Sequence, residues 1–336
     1  MKKLLSLILA LVMCTALLSA AYAKNDNIEL IGADATSKGA AGQVCFEYIV
    51  EKVAELSEGK LTIDYHPNSE LGGDADIIRQ VQANDLQLTL CQTAPLVSFI
   101  PEIAVFDLPM VFSKYDGDTI DKVLNGDNEF TKAVAEAYEA AGLHLLGFLQ
   151  NATYRLTTSN VDLSTLEGFK GMQIRTMENK NHMAFWSAIG AEPTPLAWPE
   201  VYIALQNGTI DAEENAADTC VGANFQEVQK YLSCTNHILY CNQICISKEA
   251  WDELTPELQD ALQQAVNDAI AYMRPQLEEI DKNNKQILVD GGMTLVEYDA
   301  DFYDTVLNLE GVQALYASID EQVNGLGTLL VNELNK

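Results

Sequence analysis

The fold is decided by a stretch of sequence that begins Phe169-Lys170-Gly171-Met172-Gln173-Ile174-Arg175. These residues predict a turn and a short strand, because a glycine is followed by alternating apolar and polar side chains. A helix is predicted over 179–189. The next segment, Glu192-Pro193-Thr194-Pro195, must be extended because each proline pushes its predecessor out of the helical region. A second helix over 198–206 and a strand over 209–213 complete the stretch.

This order of strand, helix, strand and helix places two polar side chains at strand ends. Arg175 lies near the end of the first strand, and Asn215 follows the second. Strands also alternate with helices between residues 27 and 93, which favours a mostly parallel sheet. In open α/β sheets, ligands bind beyond the carboxyl ends of the strands. A cation and an amide are therefore predicted at the mouth of a cleft.

The sequence resembles a known family in several blocks that occur in the right order. The blocks read Gly171-Met172-Gln173-Ile174-Arg175, Gly190-Ala191-Glu192-Pro193-Thr194-Pro195, Glu200-Val201-Tyr202-Ile203-Ala204-Leu205-Gln206-Asn207-Gly208, Asp211-Ala212-Glu213-Glu214-Asn215, Tyr65-His66-Pro67-Asn68-Ser69-Glu70-Leu71-Gly72-Gly73 and Pro101-Glu102-Ile103-Ala104-Val105-Phe106-Asp107-Leu108-Pro109. In these blocks the chain is similar to the substrate-binding proteins of tripartite ATP-independent periplasmic (TRAP) transporters, the DctP-type family. It departs from the family pattern at Ala212 and Ala216, where the family has glycine and proline.

The resemblance implies the fold class and the domain organisation. It implies an α/β, two-domain periplasmic binding protein of type II-like topology, with mixed sheets flanked by helices, hinge strands and a long domain-spanning helix. We expect domain I to comprise residues 24–152 and 241–280, and domain II to comprise residues 153–240 and 281–336. The apolar pattern predicts the long helix over 256–290, with an inner stripe formed by Leu258, Leu262, Ala265, Ile270, Met273 and Leu277.

Three residues carry the prediction of a carboxylate site. Spacing alone favours a surface ion pair for Arg175, but the resemblance implies that this arginine forms the salt bridge to the substrate carboxylate. Asn215 matches the family asparagine that hydrogen-bonds the same carboxylate. Arg155 matches a second arginine that lines the pocket, with an ion pair in a hinge strand as its alternative. A guanidinium suits the task because it donates two parallel hydrogen bonds to a carboxylate.

Five further residues are candidate ligand contacts. Trp198 matches a family aromatic residue that packs on the ligand, with a place in the core as its alternative. Gln92 and Thr93 stand at a strand end and match a pocket-facing family position. Glu178 follows the central arginine, and Asp34 lies at the end of the first strand. If both acids line the cleft, we expect a zwitterionic or polyhydroxylated ligand.

Local patterns assign three more side chains to structural roles. Asp74 precedes an apolar helical pattern and is predicted to cap that helix. Trp186 and His182 lie on the helix predicted over 179–189. We expect Trp186 in the core and His182 on the surface.

The N-terminus has the pattern of an export signal. Two lysines precede an apolar run over 4–18, and Ala21-Tyr22-Ala23 follows that run as a small-x-small cleavage site. A membrane anchor would need about 20 apolar residues. A lipoprotein site at Cys14 is disfavoured because Met13 precedes it and the apolar run continues beyond it. We therefore expect cleavage after Ala23 and a periplasmic protein.

The chain is strongly acidic. It has 20 Lys and Arg residues against 49 Asp and Glu residues, a formal net charge of −29. Removal of Lys2 and Lys3 with the signal peptide leaves −31. This charge argues against nucleic acid and anionic membrane surfaces as partners. An anionic ligand therefore needs a dedicated local cation, and the chain offers four arginines: Arg79, Arg155, Arg175 and Arg274.

Six cysteines remain after the predicted cleavage. Cys45 and Cys91 lie in apolar periodic contexts and are expected to be buried thiols. A disulfide stays open among the four cysteines of the second half, Cys220, Cys234, Cys241 and Cys245. The cysteines and the four histidines show no metal-binding spacing. We therefore expect no metal and no cofactor.

These observations together predict a function. We expect an extracytoplasmic solute-binding protein that captures a small organic acid in an interdomain cleft through Arg175. It would deliver this ligand to the membrane subunits of a TRAP-type permease driven by an ion gradient. We expect a monomer that binds no nucleic acid. We also expect no enzymatic activity, because no nucleophile, metal or phosphate-loop motif is present.

Two alternatives stay open from the sequence. One is a secreted hydrolase that acts on an acidic substrate. The other is a binding protein that serves a sensor kinase or an ATP-driven importer. The sequence also leaves open which organic acid or zwitterion is bound, the oligomeric state and any structural metal.

Overall fold

The computed structural model describes residues 27–150 and 153–336. The predicted signal peptide and its cleavage site after Ala23 lie outside the described residues. Among the helices of the described residues, none combines the length and the apolar character that a membrane crossing requires.

The described residues form eleven strands and fourteen α-helices. The strands are β1 (Ile28–Ala33), β2 (Leu61–His66), β3 (Leu88–Gln92), β4 (Leu143–Leu149), β5 (Leu156–Ser159), β6 (Gln173–Thr176), β7 (Glu192–Pro195), β8 (Ala212–Asn215), β9 (Tyr231–Ser233), β10 (Asn242–Ser247) and β11 (Thr294–Val296). The helices are α1 (Ala41–Leu56), α2 (Asp74–Gln82), α3 (Thr93–Leu96), α4 (Gly117–Asn125), α5 (Glu129–Ala140), α6 (Lys180–Ala188), α7 (Val201–Gln206), α8 (Ala217–Gly222), α9 (Lys248–Glu253), α10 (Pro256–Met273), α11 (Leu277–Asp290), α12 (Ala300–Leu307), α13 (Glu310–Gln322) and α14 (Leu326–Leu334).

Two mixed sheets form the framework of the molecule. The first sheet has the strand order β2-β1-β3-β10-β4, and the second has the order β11-β9-β5-β8-β6-β7. In the first sheet, β1 is parallel to β2 and β3, whereas β10 is antiparallel to β3 and β4. In the second, β6 is parallel to β7 and β8, and β5 is antiparallel to β8 and β9. Helices flank both sheets, so the predicted fold class is confirmed.

The chain passes from the first sheet to the second between β4 and β5, and it returns between β9 and β10. These two connections run side by side as an antiparallel pair. The Arg155 backbone N–H donates to the Ile238 carbonyl oxygen at 2.9 Å, and the Tyr240 N–H donates to the Thr153 carbonyl oxygen at 2.8 Å. These paired segments are the predicted hinge strands.

A third passage between the sheets is made by the long helical segment after β10. The segment predicted as one helix is interrupted by a 3₁₀ turn over Arg274–Gln276, because Pro275 has no N–H and its ring clashes with the preceding turn. Helix α10 packs on α1 and β4, whereas α11 packs on α8 and β9. The predicted domain-spanning helix is therefore confirmed, with a break, and all six residues of its predicted inner stripe are buried.

The apolar core follows this division into layers. One cluster, which includes Phe46, Ile49 and Leu262, lies between the first sheet and helices α1 and α10. A second cluster includes Leu156 and Phe225 in the part of the chain around the second sheet. Burial of each such side chain contributes about 1.5–3 kcal/mol relative to exposure. Trp186 is fully buried in a third cluster, so its predicted place in the core is confirmed.

The C-terminal helices contact both halves of the molecule. Helix α13 packs against α6, and α14 packs against α4 and α5, which flank the first sheet. The sequence-based domain boundaries place residues 281–336 in domain II, and these boundaries stay a prediction.

All six cysteines of the described residues are free and buried. The disulfide that the sequence left open among Cys220, Cys234, Cys241 and Cys245 does not form in the structure. Burial raises the pKa of the Cys45 thiol to about 12. A thiol that stays protonated is a poor nucleophile, so these cysteines should be inert in the native protein.

A thiol titration tests this burial. In protein that begins at Lys24, Ellman's reagent should detect no reactive thiol in native buffer, because all six cysteines are buried. In guanidinium without reductant it should detect all six. Added reductant should change neither this count nor the melting temperature. A count of four under denaturing, non-reducing conditions would reveal a disulfide and contradict the structure.

Candidate ligand-binding site

Polar strand ends from both sheets meet at one place. Gln92 is the last residue of β3 and pairs with Asn242, the first residue of the antiparallel strand β10. On the second sheet, Asn215 is the last residue of β8, and Arg175 lies in the parallel neighbour β6. Because β10 runs against β3, its beginning lies beside the end of β3. The cleft predicted beyond the strand ends therefore contains both Arg175 and Asn215.

Two adjoining cavities lie at this edge. The empty space in them, which includes solvent at their open mouths, is about 380 and about 440 Å³. Four residues line both cavities and form what we call the junction: Asp74, Arg175, Met177 and Trp198. The first cavity is otherwise lined largely by uncharged polar side chains, namely Thr36, Ser37, Gln92, Asn215, Thr219, Tyr240 and Asn242.

Arg175 lies at the junction with a guanidinium that is only partly hydrogen-bonded. The side chain is only 2% exposed, and its Nε donates to the Leu196 carbonyl oxygen at 2.9 Å. Its Nη1 is buried and has no hydrogen-bond partner among the described residues. Burial lowers the pKa of Arg175, while the carboxylates of Glu213 and Glu214 oppose this change. Since a guanidinium stays charged in proteins, the site holds a buried cation with an unused donor.

The other three arginines are already engaged by acids. Arg79 pairs with Asp76, Arg155 pairs with Glu214, and Arg274 pairs with two aspartates. Within residues 27–150 and 153–336, Arg175 is the one arginine with no carboxylate within 4.0 Å. A buried cation without a counter-ion is costly, so this position is suited to an anion supplied from outside.

Trp198 holds the Arg175 guanidinium from one side. The Cζ atom of Arg175 lies 5.6 Å from the centre of the Trp198 ring, within the range of a cation–π contact. The ring also packs edge-on against Phe225, with 5.6 Å between centroids. Trp198 is half-buried and lines both cavities, so it contacts the core and the cleft at once.

Two amides from opposite sheets face each other across the first cavity. Gln92 Nε2 donates to Asn215 Oδ1 at 3.4 Å, and Asn215 Nδ2 donates to Glu213 Oε2 at 3.3 Å. These bonds fix the orientation of the Asn215 amide, since its oxygen accepts from Gln92 and its nitrogen points the other way.

Arg155 lies behind these amides and is not among the residues that line either cavity. Its Nε donates to the Glu214 carboxylate, and its Nη1 donates to Gln92 Oε1. Its Nη2 donates to the Glu214 backbone oxygen at 2.6 Å. Arg155 therefore holds Gln92, and through Gln92 it positions Asn215.

The remaining three predicted contacts lie at different distances from the cavities. Glu178 is exposed and lines the second cavity. Thr93 is buried at the start of α3 and lines neither cavity. Asp34 is fully buried and also lines neither cavity. Its carboxylate accepts a hydrogen bond from the Tyr65 hydroxyl at 2.5 Å. It also accepts from the backbone N–H groups of Thr36 and Asn68, at 3.0 and 3.3 Å. Asp34 thus holds the loop that follows β1.

Comparison with known proteins assigns the family. The sequence profile of the DctP family, described as bacterial extracellular solute-binding protein, family 7, matches residues 34–321. The chain belongs to the DctP family. The predicted family is therefore confirmed.

Named relatives and solved structures agree with this assignment. The chain is 31% identical over 250 residues to the sialic acid-binding periplasmic protein SiaP of Vibrio cholerae, across 74% of this chain and 76% of the relative. It is 29% identical over 262 residues to the C4-dicarboxylate-binding periplasmic protein DctP of Rhodobacter capsulatus, across 77% and 75%. The sugar acid binding protein DctPAm of Advenella mimigardefordensis, solved with galactonate, shares the fold, with a TM-score of 0.85, 24% identity and coverage of 92% and 98%.

Membership of the DctP family gives a broad functional class. Proteins of this family are periplasmic solute-binding receptors of TRAP transporters, not enzymes. The predicted classes of transport and organic-acid binding are confirmed at this level.

The DctP-family blocks of the sequence converge on the cleft. One block ends at Arg175 in β6, and another ends at Asn215 in β8. Trp198 begins the 3₁₀ turn between two further blocks. The front block around Gly72-Gly73 leads directly into α2, whose first residue is Asp74. The front block and the central blocks are separate in the sequence of this DctP-family chain, but residues beside them line the same cleft.

The sequence reasoning missed two residues of the cleft. The N-cap of α2 is Gly73, without a side-chain cap bond, so the predicted cap at Asp74 is wrong. Asp74 lines the junction instead. Asn242 lines the first cavity at the start of β10, opposite Gln92, and no motif in the sequence analysis identified it.

The surface position predicted for His182 is also wrong. The side chain is 1% exposed, and its Nε2 lies 3.1 Å from Asp107 Oδ1 while its Nδ1 lies 3.6 Å from Glu214 Oε1. Burial alone would lower the pKa of His182, but these two carboxylates raise it to about 9. Asp107 also accepts from the Asn179 and Asn181 amides, each at 2.9 Å, so His182 belongs to a buried polar cluster.

Proposed function

We propose that this protein is an extracytoplasmic receptor that captures a small organic acid in the cleft and delivers it to a TRAP-type permease driven by an ion gradient. The observation that carries the proposal is the buried Arg175 guanidinium, because Arg175 lines both cavities and its Nη1 has no hydrogen-bond partner among the described residues. A carboxylate is the natural partner for this group, because its two oxygens match the geometry of the guanidinium donors.

Five of the predicted contacts then have a task in binding. Arg175 would donate to the ligand carboxylate, and Asn215 lies in the same cavity as a further hydrogen-bonding group. Trp198 offers an apolar face beside the charged pair. Arg155 would act from behind by holding Gln92 and Asn215 in place. Burial of the carboxylate costs desolvation, which the pairing with a preformed cation offsets.

Several hydrogen bonds cross between the two halves and would form when the domains close on the ligand. Gln92 and Asn215 join the ends of β3 and β8. The Asp218 carboxylate in α8 accepts from the Ala41 N–H at the start of α1 at 2.8 Å. We place the closing movement between domain I, residues 24–152 and 241–280, and domain II, residues 153–240 and 281–336. The receptor would act as a monomer at the permease.

The ligands named for relatives support an acid as the bound species. Sialic acid, a C4-dicarboxylate and galactonate are named for the proteins from Vibrio cholerae, Rhodobacter capsulatus and Advenella mimigardefordensis. All three carry a carboxylate, although the rest of each molecule differs. The shared group is the one that Arg175 is placed to bind.

A ligand screen by thermal shift tests this proposal. At least one organic acid should raise the melting temperature by several degrees, because a ligand at 100 times its Kd stabilises the folded state by about 2.7 kcal/mol. Matched neutral compounds, such as galactitol beside galactonate, should cause no shift. Titration calorimetry should then give one site per chain. Equal shifts with the acids and their neutral analogues would contradict an anion site.

A further inference from the structure

A second charged group, Asp74, stands unpaired at the junction. It is the first residue of α2, is half-buried, and lines both cavities together with Arg175. Across residues 27–150 and 153–336, no ion pair within 4.0 Å and no hydrogen bond from another side chain engages its carboxylate. The two opposite charges thus face one cleft without touching, and a ligand at the junction would contact both.

The rest of the first cavity offers no site for a second anion. Apart from Arg175 and Asp74, its polar lining is uncharged. In the second cavity, the cation Arg79 is exposed and already paired with Asp76 at 3.0 Å. The exposed Glu178 adds a further negative charge there. A ligand carboxylate bound to Arg175 therefore has acids and neutral groups, not free cations, around the rest of the molecule.

We propose, on the basis of the receptor function above, that Asp74 selects acids that carry one carboxylate and a hydrogen-bond donor at the other end of the molecule, and that it rejects dicarboxylates. The donor is a hydroxyl or an ammonium group that Asp74 accepts from. A second ligand carboxylate at the same place would meet a like charge in a partly dehydrated cleft, which weakens binding. This is specificity through repulsion of the wrong ligand as much as attraction of the right one.

The electrostatics of Asp74 agree with this role. Burial raises the pKa of Asp74 to about 6, while Arg175 and Arg155 lower it and Asp34 raises it further. The carboxylate is therefore ionised at pH 7.5, where it accepts hydrogen bonds and repels anions. Burial has also removed part of the hydration of this carboxylate. A hydrogen bond from a ligand donor would compensate for the lost contacts with water.

Sets of ligands that differ in one group provide the test. Erythronate, meso-tartrate and 4-amino-4-deoxyerythronate share a four-carbon chain and carry a hydroxyl, a carboxylate and an ammonium group at C4. Glycerate with tartronate, and galactonate with galactarate, give the same comparison at three and six carbons. Calorimetry at pH 7.5 should show that the hydroxyl or ammonium member of a set binds at least about 10-fold more tightly than its dicarboxylate.

The variant Asp74→Asn should remove this discrimination. It keeps the size of the side chain but removes the repulsion, so the ratio of the two affinities should fall to within about 3-fold. The control Asp118→Asn makes the same change in the first turn of α4, where Asp118 is 85% exposed and pairs with Arg274. It should leave the ratio unchanged. The melting temperature of each free variant shows that the fold is retained.

The outcomes separate this inference from the receptor function. A wild-type protein that binds the dicarboxylates as tightly as their partners overturns the role of Asp74, and so does an Asp74→Asn variant with an unchanged ratio. Neither result contradicts the proposed function as a receptor for an organic acid. Failure of every probe, in this test and in the thermal screen, overturns both proposals together.

Discussion

Replacement of Arg175 by alanine should weaken binding of the acid ligand by about 100- to 1,000-fold. The reason is that the bound carboxylate would remain dehydrated in the cleft while it loses the one cation placed to receive it. The fold should persist, because among the described residues this side chain makes one hydrogen bond, to the Leu196 carbonyl oxygen, and a contact with the Trp198 ring. Titration calorimetry with an acid found in the thermal screen measures the loss.

Two further variants separate charge from geometry in this prediction. Arg175→Lys keeps the charge but loses the two-pronged donor, so its affinity should lie between those of the wild type and Arg175→Ala. Arg274→Ala makes the same truncation at an arginine that pairs with Asp118 and Asp121. It should bind the ligand normally. Wild-type affinity in Arg175→Ala would refute the assignment of the carboxylate site.

Replacement of Glu214 by glutamine should lower the free energy of unfolding by about 3–5 kcal/mol. Glu214 is fully buried and lies beside Arg155, His182 and His237. Burial alone would raise its pKa, but Arg155 and the histidines lower it well below its usual value. The substitution would leave Arg155 buried without its counter-ion. Urea denaturation followed by circular dichroism measures the change.

The neighbouring glutamate supplies a matched control. Glu213 is equally buried in the same strand, but it accepts from the Thr158 hydroxyl at 2.8 Å. No Lys, Arg or His of the described residues lies within 4.0 Å of its carboxylate. Burial raises the pKa of Glu213, so Glu213→Gln should cost no more than about 1 kcal/mol. Equal losses in the two variants would show that the charge at Glu214 is unimportant.

Local sequence patterns were sufficient to predict the strand ends that build the cleft. Arg175 and Asn215 could be placed because alternation and turn residues mark where β6 and β8 stop, and ligands of such sheets bind at those ends. The long helix was predicted by its apolar stripe, but its break at Pro275 was not predicted, although a proline inside a helix disfavours continuation. The family resemblance then supplied the function that spacing alone did not.

Side chains whose environment depends on distant partners could not be predicted in this way. His182 lies 75 residues from Asp107 in sequence. A local pattern cannot show that the fold brings a buried carboxylate next to a polar side chain. Asp74 had the sequence context of a helix cap, yet it lines a cleft that exists only after the two sheets come together. Arg155 matched a pocket arginine, but its contact with Glu214 places it behind the lining amides.

The three passages of the chain between the sheets limit how the two lobes can move apart. Two are the paired connections beside Arg155 and Tyr240, and the third is the 3₁₀ turn at Pro275. Opening would have to be absorbed by backbone torsions in these short segments and in the C-terminal helical region, since α10 and α11 pack on different halves and α13 and α14 together contact both. We expect these connections to hinder free rotation and to favour a bend about a single axis, so the two halves would return to the same mutual orientation after every cycle.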